Sequence, residues 1–190
     1  MEQSGGQRVE FKRTMTTDIT QPAGEGETEG TVVATCRAPE DLTPLAAALA
    51  AVLAPGDVLL LEGGLGAGKT TLTQALARSL GVGADQYVAS PSFSLVHEYV
   101  GRLPIVHMDL YRLGNEEDVE AAGLLDFFEQ QGVVIVEWPD RLGAATPENR
   151  LEIRIEHVPP EARRLVLTPW GATWRQRMER IAAHLAAADN

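Results

Sequence analysis

Lysine is almost missing from this chain: only Lys12 and Lys69 occur among 190 residues, and every other Lys/Arg position is arginine. Lys69 is therefore the only lysine outside the N-terminal segment. Cysteine occurs once, as Cys36, which leaves no intrachain disulfide partner and too few thiolates for a metal site. No apolar run approaches the ~18 to 20 residues of a membrane span, and Met1 to Gly6 lack the basic start and apolar core of a signal peptide. The expectation is a cytoplasmic chain that makes no use of a membrane. Positive charge is scarce as well. The acids number 27 against 16 bases, and the resulting net charge of −11 repels a phosphate backbone, excluding unaided binding to DNA or RNA. No internal repeat of roughly 20 to 50 residues occurs, which excludes a solenoid.

What is present is the composition of an ordinary soluble domain, with 44% hydrophobic and 23% charged residues. At roughly 150 residues per domain, the length allows one domain plus extensions. Residues 1–30 mix Gly, Thr, Gln and Glu with little apolar periodicity and read as a disordered acidic tail, with Met15 as a second possible start. From Thr31 the pattern becomes regular, and residues 31–190 read as a single domain. Thr31 to Cys36 is β-branched and extended, and Leu42, Leu45, Leu49 and Leu53 recur at helical spacing. Val58 to Leu61 and Val133 to Val136 are continuous apolar runs, as strands covered on both faces require. Ser92 to Tyr99 and Ile105 to Leu110 read as two more strands, and Glu116 to Gln131 as a helix broken at Gly123. Leu151, Ile153 and Ile155 alternate with charged residues, so a hairpin through Pro159-Pro160 to Arg164–Thr168 is expected. Trp174, Met178, Ile181 and Leu185 form one helical stripe facing the core. Strands alternating with helices, then a hairpin, give a three-layer α/β domain with a mixed sheet.

One segment carries chemistry directly. Gly63-Gly64-Leu65-Gly66-Ala67-Gly68-Lys69-Thr70 satisfies G-x-x-x-x-G-K-[ST], with an apolar strand running into it and a helix running out. Such glycines let successive backbone N–H groups turn toward phosphate oxygens, while the helix directs its positive end at the same charge. The binding set is thus Gly64, Leu65, Gly66, Ala67, Gly68, Lys69, Thr70 and Thr71, with Lys69 reaching the β and γ phosphates and the Thr70 hydroxyl offered to Mg²⁺. Guanine specificity usually comes with Asn-Lys-x-Asp on a late strand. No lysine follows Lys69, so the expected nucleotide is ATP.

Phosphoryl transfer also needs carboxylates at strand ends beside the loop. Glu137 ends Val133–Val136 and is the stronger candidate for the metal, directly or through water, and Asp109 ends Leu103–Met108. Ser90-Pro91-Ser92 offers two hydroxyls, although its composition alone reads as a turn. His107 lies on the same strand face as Asp109 and by itself reads as a satisfied structural histidine.

Taken together, four segments resemble the TsaE (YjeE) family: Leu61 to Thr71, Ser90 to Leu95, His107-Met108-Asp109-Leu110-Tyr111-Arg112 and Val136-Glu137-Trp138-Pro139. The similarity covers roughly Leu42 to Arg141. Its His-x-Asp-x-Tyr-Arg and Glu-Trp-Pro segments are more specific than the phosphate loop. The resemblance implies a P-loop NTPase-like fold and an ATPase subunit of tRNA threonylcarbamoyladenosine synthesis that works with TsaB and TsaD and meets tRNA only through them; with no arginine finger committed by the sequence, slow turnover alone and stimulation by those partners are expected. It also implies catalytic roles for Lys69, Asp109 and Glu137, metal binding by Thr70 and Glu137, and a switch-like role for Ser90 to Ser92. The family usually has threonine where this chain has Ser92, so a hydroxyl remains but a stiffer side chain is lost. Two other readings of the residues stay open: a stand-alone P-loop kinase for a small metabolite, and a nucleotide-dependent interaction module without turnover.

Overall fold

The structure, a computed structural model, describes residues 16–19 and 30–188. Its core is an eight-stranded sheet in the order β1-β2-β8-β7-β3-β6-β5-β4. The strands are β1 Thr16–Ile19, β2 Val32–Cys36, β3 Val58–Glu62, β4 Val96–Tyr99, β5 Ile105–Asp109, β6 Val133–Glu137, β7 Arg150–Val158 and β8 Ala162–Trp170. β7, β3, β6 and β5 run parallel, while β1, β2, β8 and β4 add antiparallel edges, which makes the sheet mixed.

The apolar runs explain the layering. In β3, Leu59 and Leu61 join one buried cluster with α1 (Leu42–Val52), α2 (Lys69–Ser79) and α4 (Ala172–Ala188). Val58 and Leu60 join a second cluster with Val119 of α3 (Glu116–Ala121), Leu124 and Leu142 on the other face. A strand with both faces covered must be apolar at every position, and β6 repeats the arrangement. In α4, Trp174, Met178, Ile181 and Leu185 are all buried, as their spacing on one helical face demands.

Three expectations change in detail. The segment from Ser92 is a turn up to Leu95, whose φ of +66° ends extended geometry, and the strand starts at Val96. The broken helix is α3, capped by the Asn115 side chain accepting from the Asp118 N–H at 3.1 Å, followed after Gly123 by a 3₁₀ turn, Leu125–Glu129. Within the expected tail, Thr16–Ile19 forms β1, paired antiparallel to β2 from Thr16↔Thr35 to Ile19↔Val32. The rest of that segment, residues 1–15 and 20–29, lies outside the described residues.

Parallel pairing places the carboxyl ends of β3, β5 and β6 side by side. Asp109 sits in register with Glu137, and Glu137 with Leu61, one residue before the end of β3.

Candidate functional site

The loop after β3 is shaped by its glycines. Gly63 has φ +148°, and a Cβ there would meet the Ile155 carbonyl oxygen at 2.7 Å, so only glycine lets the loop leave β3 against β7. Gly68 caps α2 in the left-handed region at φ +111°, which turns the chain sharply into Lys69. The first turn of α2 is thereby aimed at the mouth of the loop.

Lys69 is 5% exposed. Its Nζ donates to the carbonyls of Gly63 at 2.7 Å and Gly64 at 3.0 Å, and lies 3.9 Å from the centroid of the Trp138 ring. Burial pulls its pKa below the ordinary lysine value, and the charges of Glu137 and Asp109 oppose that shift. Trp138 is held in the left-handed region at φ +61° and packs on Tyr111 with ring centroids 4.9 Å apart.

The two strand-end carboxylates meet the loop from β5 and β6. Thr70 Oγ1 donates to Glu137 Oε1 at 2.8 Å. The same oxygen accepts from His107 Nε2 at 2.9 Å. Asp109 accepts from the Ser90 hydroxyl on one oxygen and from the Tyr111 N–H at 3.0 Å on the other. Ser90, Ser92, Asp109, Glu137, Tyr111, Arg112 and Trp138 line one cavity of about 370 Å³ together with the loop from Leu65 to Thr71. All of the sequence-expected site residues except Gly64 line that cavity, and Gly64 holds Lys69 through its carbonyl. Thr70 Oγ1 and the Glu137 carboxylate form an oxygen-only donor pair, as a hard divalent cation such as Mg²⁺ prefers, so the residues fit that ion.

Some participants were not assigned from sequence. His107 is fully buried and is only half satisfied rather than the satisfied structural histidine expected, because its Nδ1 has no hydrogen-bond partner among the described residues. Arg163 on β8 donates from Nε to the Ala67 carbonyl at 3.2 Å, bracing the loop from behind. It also lines a second cavity of about 150 Å³ shared with Cys36 to Pro39, Gly66 to Gly68 and Thr71. Nothing local in Arg-Arg at 163–164 marks this contact, since the loop lies 96 positions away. A small-molecule kinase would need arginines at its phosphate site, and of Arg102, Arg112, Arg141 and Arg150 only Arg112 lines the larger cavity. Arg102 donates to the Ala50 carbonyl at 2.6 Å, Arg141 pairs with Asp140, and Arg150 with Glu152.

Comparison with known proteins agrees with this geometry. The family model described as threonylcarbamoyl adenosine biosynthesis protein TsaE matches residues 36–165. The tRNA threonylcarbamoyladenosine biosynthesis protein TsaE of Bacillus subtilis is 40% identical over 147 residues, covering 77% of this chain and 90% of that protein. The protein of the same name from Mycobacterium tuberculosis is 31% identical over 160 residues, covering 80% and 94%. The crystal structure of Bacillus subtilis YdiB superposes with a TM-score of 0.67 at 36% identity, over 84% of this chain and 97% of that one. With a phosphate loop between β3 and α2, two carboxylates at neighbouring strand ends and these matches along most of its length, the chain belongs to the TsaE family and has its P-loop NTPase-like fold.

Proposed function

We propose that this protein is the ATP-binding and ATP-hydrolysing subunit of tRNA threonylcarbamoyladenosine biosynthesis, acting in the cytoplasm with TsaB and TsaD. The observation that carries the reading is the convergence of Lys69, Thr70, Asp109 and Glu137 on a single cavity at the carboxyl end of the sheet. In this reading residues 31–190 are one ATPase domain, to whose sheet Thr16–Ile19 adds the edge strand β1.

The loop amides and Lys69 hold the β and γ phosphates, for which Lys69 exchanges the Gly63 and Gly64 carbonyls for phosphate oxygens. Thr70 and Glu137 would hold Mg²⁺, which supplies charge compensation at the phosphate oxygens. Asp109, fixed on both oxygens by Ser90 and the Tyr111 N–H, orients water beside the terminal phosphate. The smaller cavity behind Gly68 and Thr71 suits the nucleobase side of ATP. A net charge of −11 makes the tRNA accessible only through partner proteins. No described helix is long and apolar enough to cross a membrane.

The test is phosphate release measured for the chain alone and after adding purified TsaB and TsaD. Slow release alone and a clear rise in the mixture are expected. Full-rate hydrolysis alone, unchanged by the partners, would favour an independent enzyme.

A further inference from the structure

Glu137 is held by two donors, and both bonds fall on Oε1: the Thr70 hydroxyl at 2.8 Å and His107 Nε2 at 2.9 Å. The hydroxyl is the one that the proposed function requires to turn toward Mg²⁺. His107 cannot turn away. It is 0% exposed on β5, between Val106 and Met108, which are buried in the opposite face of the sheet. Its ring lies on the face of β5 that also carries Asp109, since residues two apart in a strand share a face. It reaches forward across the β5–β6 ladder, where His107 pairs with Ile135 and Asp109 with Glu137.

A carboxylate oxygen only accepts, so Nε2 donates. The other ring nitrogen, Nδ1, is buried without a hydrogen-bond partner among the described residues. Burying a polar ring with half of its capacity unmet costs stability, and an apolar residue at this position would avoid that cost. The ring also neighbours that of Tyr99, with centroids 6.5 Å apart, but among the described residues the polar interaction that offsets the cost is the bond to Glu137.

We propose that His107 is a positioning residue for Glu137: its Nε2–H fixes the carboxylate in the orientation that receives Mg²⁺–nucleotide once Thr70 has turned to the metal. This rests on the nucleotide reading of the site. Partners of ligating groups typically tune metal affinity by about 10- to 100-fold when removed, without themselves touching the metal.

The experiment compares His107→Leu, which fills the space without a donor, with His107→Gln, whose amide N–H reaches the Nε2 position. A non-hydrolysable ATP analogue is titrated calorimetrically at a series of MgCl₂ concentrations, and thermal unfolding is recorded for each variant. His107→Leu should raise the Mg²⁺ concentration needed for half-maximal tightening about tenfold while binding the metal-free analogue within about twofold of wild type. His107→Gln should recover most of that shift. In the Glu137→Gln background, His107→Leu should add nothing further, because its action runs through the carboxylate. Should the leucine variant fail to fold, His107→Asn, which withdraws the donor from Glu137, replaces it with the same expectation. A leucine or asparagine variant with the wild-type Mg²⁺ midpoint, or a glutamine variant no better than either, overturns the proposal. A wild-type chain that shows no Mg²⁺-dependent nucleotide binding overturns the nucleotide reading itself and the role of His107 with it.

Discussion

Thr70 Oγ1 donates to Glu137 Oε1 at 2.8 Å, joining the first turn of α2 to the end of β6 across 67 positions of sequence. The bond ties the phosphate loop to the carboxylate layer beneath it, so substitutions on either side should separate binding from turnover. Glu137→Gln and Asp109→Asn keep shape but lose charge. Each should retain nucleotide binding within about tenfold and lower partner-stimulated hydrolysis by at least about 100-fold. Calorimetry and phosphate release on the same preparations separate the two quantities, and wild-type hydrolysis in both variants would leave the carboxylates with a structural role only.

Lys69 offers the complementary case. Its Nζ hydrogen bonds lie within its own loop, so Lys69→Ala breaks none between distant elements and gives up only the contact with the Trp138 ring at 3.9 Å. The fold should survive with a small change in melting temperature, whereas loss of charge-assisted phosphate contacts at about 1.5 to 3 kcal/mol each should weaken ATP binding by roughly 100-fold or more. Comparable ATP affinity in the variant would remove Lys69 from the site.

The sequence was most legible where geometry is periodic. β3 and β6 are buried on both faces and carry no polar residue until their last position, so their runs announced both the strands and the strand-end Glu137. The α4 stripe was readable for the same reason. β1 was not, because Thr-Thr-Asp-Ile has no apolar alternation and its pairing to β2 consists of backbone hydrogen bonds that any sequence can make. Site partners at long range were equally hidden. Strand period placed His107 on the face of Asp109, yet it could not say that Nε2 would reach Glu137 on the neighbouring strand, nor that Arg163 would brace Ala67.

Cys36 supplies a test of the core beside the loop. It is 2% exposed, and burial, reinforced by Asp41, pushes its thiol up to about 12 from 9.0. Between those values the unfolded chain releases its proton while the folded chain keeps it, so stability falls as pH rises, by about 1.4 kcal/mol per unit within the window. Tyr99, also raised by burial, acts in the same sense. Cys36→Ala should therefore flatten part of the alkaline limb in a series of unfolding curves from pH 8 to about 11. At pH 8 the native chain should take up iodoacetamide far more slowly than the urea-unfolded chain, because the thiolate is the reactive form. Equal labelling rates by mass spectrometry would place Cys36 in contact with solvent.

Deleting residues 1–29 removes β1 and leaves one edge of β2 to water. Edge hydrogen bonds contribute modestly, so the expected loss is about 1 to 2 kcal/mol, or roughly 2 to 8 °C in melting temperature. The phosphate loop and the two carboxylates lie in the opposite half of the sheet, beyond β8 and β7, so the phosphate contacts should persist, while the smaller cavity, lined by Cys36 at the end of β2, is the part of the proposed site next to the deleted strand. An unchanged melting temperature would show that β1 contributes nothing to the fold's stability.

Partner dependence is the most discriminating expectation. Phe93 is 84% exposed between Ser92, which lines the cavity, and Ser94, and the Arg112 guanidinium lies 4.1 Å from its ring centroid. A large apolar ring left in water beside the proposed phosphate site is suited to being covered by another protein, and under the proposed function the loop carrying it would report whether the terminal phosphate is present. Phe93→Ala should leave ATP affinity of the isolated chain unaltered, since Phe93 does not line the nucleotide cavity. Against TsaB and TsaD it should weaken association by about 2 kcal/mol, roughly thirtyfold, and reduce the stimulation of hydrolysis in step. A cycle driven by hydrolysis also requires that ATP and ADP support the complex unequally, because a ligand with equal affinity for two states shifts neither. Surface-based binding measurements with ADP and with a non-hydrolysable ATP analogue, on wild type and Phe93→Ala, give all four affinities. Equal affinities with the two nucleotides, together with an undiminished complex in the variant, would rule out a nucleotide-sensing contact at this loop.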